Sequence, residues 1–74
     1  MMISVAIARF IVKRAIKASV KGETVNVPAT MKAIDALGDQ DGKVEMSDVV
    51  TAISDYIEDA GDVIGKIWDS LTEL

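Results

Sequence analysis

From Val50 onward one spacing repeats: Val50, Ile53, Ile57, Ala60, Ile64, Ile67, Leu71 and Leu74 follow one another at alternating steps of three and four residues. Only a helical backbone gathers such positions on one face, because residues three and four apart lie one above another at about 3.6 residues per turn. Val49, Tyr56, Val63 and Trp68 widen the stripe beyond the narrow seam of a two-stranded coiled coil, which favours packing inside a helical domain. Gly61-Asp62 reads as a stop followed by a new cap and predicts two helices, over about 48–60 and 62–73. The register passes unbroken through Gly61, so one helix over 48–74 is the alternative.

The same grammar extends toward the amino terminus. A first helix is predicted over about 3–21, with lysines in its last turn and Gly22 placed to cap it. Glu23 to Val27 alternates enough to suggest an extended segment. Pro28 then suits the first turn of a second helix over 28–37, whose inward face is Met31, Ile34 and Leu37. Ser47 is the expected cap of the third helix, with Asp48 complementing the positive end of its dipole. The fold class expected is all-α: one small domain of about four helices, joined in the middle by a loop over 38–47.

Composition narrows the chemistry. Seventy-four residues without cysteine form at most one domain with no disulfide, so the buried area barely offsets conformational entropy unless a metal or partner contributes. The only aromatic residues are Phe10, Tyr56 and Trp68, which leaves the core to Ile, Val, Leu, Met and Ala. With histidine and cysteine absent, the commonest general base, the most readily activated nucleophile and the ligands favoured by zinc are all missing. No glycine-rich phosphate loop precedes a helix, and the serines lack a base partner, so no enzyme is expected. Arg9 and the Lys13-Arg14 pair interrupt the apolar run near the start. No membrane span or secretory signal is expected there, and the compartment is not indicated.

Charge is divided between the halves. Residues 1–33 carry six basic side chains against Glu23, a net of +5, and residues 34–74 carry eleven acids against two lysines, a net of −9. In the first helix Arg9, Lys13 and Lys17 stack at four-residue steps, with Arg14 and Lys21 widening the stripe. Ile7, Ile11, Ala15 and Ala18 form the opposite face, flanked by Val5, Ala8, Val12 and Ile16. Packing of this apolar face within the domain is the leading expectation, with Ile7 and Ile11 meeting the seam of residues 50–71. The alternatives are an anionic membrane surface or a protein partner met through Arg9, Lys13, Arg14 and Lys17. Nucleic acid is disfavoured, because the whole chain is acidic.

One segment suggests chemistry. In Gly38-Asp39-Gln40-Asp41-Gly42-Lys43-Val44-Glu45-Met46-Ser47-Asp48, oxygen-bearing side chains alternate up to a glycine, and an apolar residue follows two places later. A hard cation such as calcium takes six to eight oxygen ligands, and a loop between helices supplies them where a glycine permits a sharp turn and carboxylates recur at alternate places. With Gly42 at the sixth place, Asp39, Asp41, Lys43, Glu45 and Asp48 fall at the third, fifth, seventh, ninth and twelfth. The run resembles the EF-hand family over roughly residues 29–60, and Asp rather than Glu at the last place makes it more similar to a dockerin-type loop.

The resemblance implies a calcium site formed by Asp39, Asp41 and Asp48, the Lys43 carbonyl, and Glu45 directly or through water, with Val44 anchoring the loop in the core. It departs from the family at the first place, where Leu37 stands in the position of an Asp; Asp35 would substitute only if the second helix unwound at its end. The bare alternative is an Asp-rich turn in which Asp39 and Asp41 bond local backbone. The expectation overall is a small non-catalytic module with a weak calcium loop. Its rivals are a membrane-surface or partner-binding protein working through the first helix, and a self-associating structural component using the apolar seam.

Overall fold

A computed structural model describes residues 1–19, 25–38, 41–57 and 60–73. Four helices surround one apolar core: α1 (Val5–Ala18), α2 (Val27–Leu37), α3 (Met46–Tyr56) and α4 (Gly61–Glu73). Two three-residue strands, β1 (Met2–Ser4) and β2 (Lys43–Glu45), pair antiparallel with Ile3 opposite Val44. The chain is therefore mainly helical, with a small ribbon that the sequence reading lacked.

The first helix starts at Val5 rather than near Ile3, because Ser4 caps it: its side chain accepts from the Ile7 amide at 3.2 Å. Residues before that cap are free to extend, and they pair with β2. The helix ends at Ala18, where the Ser19 N–H bonds back to the Ala15 and Ile16 carbonyls. The predicted continuation to Lys21 and the Gly22 cap lie outside the described residues. Asn26 caps α2 by accepting from the Ala29 amide at 3.1 Å, which makes Val27 helical and seats Pro28 in the first turn, where its missing N–H costs nothing.

Ser47 does not cap α3. The strand β2 runs directly into the helix, Glu45 occupies the cap position without a side-chain bond, and Ser47 is already inside the first turn. One amide at this end is satisfied by the residue ahead of β1 instead, since the Met46 N–H donates to the Met1 carbonyl at 2.9 Å. The third helix ends at Tyr56, with Ile57 extended, so α3 and α4 are separate helices. The apolar seam survives this break: Ile53, Ile57, Ala60, Ile67 and Leu71 are all buried.

Helix α1 lies mainly against α4 and α2, and α3 packs on α2. The buried positions of α1 are Ala8, Ile11, Val12, Ala15 and Ile16. That face is rotated from the one expected, and Ile7 and Ala18 fall outside it; Ile7 is 45% exposed. The small Ala8, fully buried, takes the place that the larger Ile7 was expected to fill. The packed interior contains no aromatic residue, and Tyr56 and Trp68, expected to broaden the seam, are exposed. Among the described residues every buried side-chain nitrogen or oxygen has a hydrogen-bond partner.

Candidate functional site

The loop between α2 and α3 follows from three local facts. Helix α2 stays intact through Leu37, with the Gly38 N–H bonded to the Asp35 carbonyl at 3.2 Å. Gly42 then takes φ +71°, a left-handed conformation that only glycine adopts without strain. Its N–H reaches back to the Gly38 carbonyl at 3.0 Å and closes the turn. Immediately afterwards β2 lines up with β1, and the Gly42 carbonyl accepts from the Val5 amide at 2.8 Å, so the outgoing half of the loop is fastened to the start of α1.

Val44, in the middle of β2, is 2% exposed and anchors the loop in the core. Around it Asp41, Lys43, Glu45 and Asp48 line an open concavity of about 520 Å³ together with Leu37 and Met2. Four of the five positions singled out in the sequence thus face one space. Asp39, the fifth, lies outside the described residues.

The described carboxylates are engaged separately. Asp41 folds back on its own turn, where Oδ1 accepts from the Lys43 amide at 3.0 Å. Glu45 is ion-paired with the Met1 ammonium, and this hydrogen bond in particular holds its carboxyl below the usual glutamate range. Asp48 is exposed in the first turn of α3. Among the described residues no three acidic groups stand close enough together to hold a metal ion. Asp35 does not stand in at the entrance: it remains helical and faces Arg9 at 3.6 Å.

Two participants escaped the sequence reading. Gly38 is buried, and a Cβ there would fall 2.0 Å from Val5 Cγ2. The second is strand β1, which pairs with β2 and adds Met2 to the lining of the concavity. The signal available for it was Ser4, a cap-type residue placed immediately before the helical run.

The basic side chains of α1 lie on the far side of that helix from the core. Arg9 pairs with Asp35, Arg14 pairs with Glu73 at 3.5 Å, and Lys13 and Lys17 are exposed without an ion pair among the described residues. No described helix is long and apolar enough to cross a membrane. Set against known protein families, curated proteins and solved structures, the chain finds no match.

Proposed function

We propose that this protein is a small non-catalytic module whose loop of residues 37–48 is a weak calcium site of the EF-hand type. The observation that carries the reading is Gly42 at φ +71°, set between a helix that ends at Leu37 and a strand at 43–45 that leads straight into a helix at Met46. That backbone order is what a cation-wrapping loop needs: a turn at the sixth place, a carbonyl at the seventh, and a helix start that carries the last ligand inward.

The donors of the proposed site are oxygens throughout, as a hard cation requires: Asp41, Lys43, Glu45 and Asp48 line one concavity, with Lys43 offering its carbonyl, and Asp39, outside the described residues, is the remaining donor of the proposed set. Binding draws Asp41 and Glu45 off the Lys43 amide and the Met1 ammonium. This rearrangement and the missing carboxylate at Leu37 place the dissociation constant on the order of 0.1 to 1 mM.

Amide spectra recorded during a calcium titration test the reading. Gly42 and its neighbours shift strongly, and Asp41→Ala removes the response. If millimolar calcium leaves those amides in place, the loop is a turn and nothing more.

A further inference from the structure

Phe10 is 63% exposed, in a protein with only three aromatic residues and an entirely aliphatic core. Its position on α1 is specific. At about 100° per residue, the buried positions Ala8, Ile11, Val12, Ala15 and Ile16 span one arc of the helix, and Phe10 stands nearly opposite the middle of that arc. It therefore points straight away from the protein, where burial against the chain's own core is not available to it. Arg9, Lys13 and Lys17 lie to one side of it, with Arg14 and Ile7 to the other. Phe10, Lys13, Arg14 and Lys17 together line a shallow surface groove of about 220 Å³.

We infer that this outward face of α1 docks on an anionic lipid surface, with the helix lying in the plane of the headgroups and Phe10 and Ile7 entering the acyl boundary. Charge selects the occupant first. Val5–Ala18 carries four basic residues and no acidic one, although the whole chain is at −4. Among the described residues only Arg9 and Arg14 meet acids of the helices packed on α1, Asp35 of α2 and Glu73 of α4, and Lys13 and Lys17 are left exposed on the outward face.

Apolarity selects the occupant second. A polyanion such as nucleic acid would answer the cations but offers no apolar phase for Ile7 and Phe10. A membrane interface offers both, and lysine and arginine stems lie along apolar surface while their heads reach the phosphates. The ion pairs at Arg9 and Arg14 are exposed and long, so lipid phosphate readily replaces Asp35 and Glu73. This surface is separate from the loop, and the inference does not depend on calcium.

Vesicle sedimentation tests it, with the full chain, phosphatidylcholine vesicles and vesicles containing about half phosphatidylglycerol. The chain sediments with the anionic vesicles only, and raising salt from about 0.05 to 0.5 M releases it as the Debye length falls to a few ångströms. Phe10→Ala weakens binding about tenfold with an unchanged thermal melt, because the side chain is exposed in the free protein. Lys13→Glu with Lys17→Glu abolishes binding. Absence of sedimentation with anionic vesicles at low salt overturns the inference, as does binding that these variants leave unaltered. A concentration-dependent oligomer in analytical ultracentrifugation, dissolved by Phe10→Ala and accompanied by no vesicle binding, would assign the face to a second copy instead.

Discussion

Val5 Cγ2 occupies the space in which a side chain on Gly38 would begin: a Cβ at Gly38 falls 2.0 Å from it, and 3.1 Å from Val44 Cγ1. The end of α2, the start of α1 and the anchor of the loop therefore meet at one point, and the absence of a side chain at Gly38 lets them meet. Gly38→Ala forces a shift at that junction and should cost about 1–3 kcal/mol. The cause is separable by a double-mutant cycle with Val5→Ala, which opens the space. Denaturant melts of the four proteins should show a coupling of at least about 0.5 kcal/mol in the rescuing direction. Strict additivity would place the cost elsewhere.

The rotated face of α1 makes a second prediction, which reverses the sequence expectation for Ile7. Ile11 is 1% exposed and Ile7 is 45% exposed. Ile11→Ala should lose about 2–5 kcal/mol, much of the stability of so small a domain, while Ile7→Ala should stay within about 0.5 kcal/mol of the parent in thermal or urea melts. Equal losses at the two positions would mean that the helix is rotated from the face described.

Ser19 Oγ donates to Asp62 Oδ2 at 2.8 Å and ties the end of α1 to the first turn of α4 across 43 residues. A hydrogen bond to a charged acceptor in a partly buried setting is worth about 1.5–3 kcal/mol. Ser19→Ala should fall near the lower end of that range, and it should also raise amide exchange in the first turn of α4. Stability and exchange both at the parent level would show that water replaces the contact.

The helical character of this chain was legible because its evidence is local. The three-four spacing after Val50, Pro28 ahead of Met31 and Ile34, and Gly42 at the turn between α2 and β2 each act within a few residues of themselves. What was not legible depends on partners distant in the chain. Met2 to Ser4 is a strand because Lys43–Glu45 lies beside it, and nothing in three residues reveals a partner forty positions away. The inward face of α1 was misplaced because hydrophobicity favours Ile7, whereas close packing against α4 and α2 favours the small Ala8. At the loop, alternating carboxylates were readable as a set. Their individual engagements were not, since Glu45 faces an ammonium that only the folded ribbon brings there.

That engagement has a pH signature. The folded Glu45 carboxyl is held below its ordinary range, chiefly by the hydrogen bond with the Met1 ammonium, so in the acid range the unfolded chain binds more protons and stability rises with pH. The contribution is complete above the usual glutamate range and is lost as pH falls through the lowered folded value. Melting temperatures measured across the acid limb should decline less steeply in Glu45→Gln than in the parent. The difference should be small and should shrink in salt, because the pair is exposed. Parallel acid limbs would show that the pair does not form in solution.

Leu37 supplies the sharpest test of the proposed calcium loop, because the proposed register puts it at the first ligand place and it lines the concavity while remaining 43% exposed. Leu37→Asp therefore removes little buried surface and adds a carboxylate at the mouth of the loop. Two effects of opposite sign follow. Without calcium, the new charge faces Asp41, Asp48 and Glu45, and the melting temperature should fall slightly through like-charge repulsion. With calcium, the added ligand should tighten binding by about tenfold or more, and saturating metal should raise the melting temperature above that of the calcium-loaded parent, since stabilisation grows with the ratio of ligand concentration to dissociation constant. Isothermal titration and melts with and without calcium read both effects on the same samples. A variant that loses stability without calcium and gains nothing with it would show that Leu37 does not stand at the first place of a cation loop, and the register built on Gly42 would fall with it.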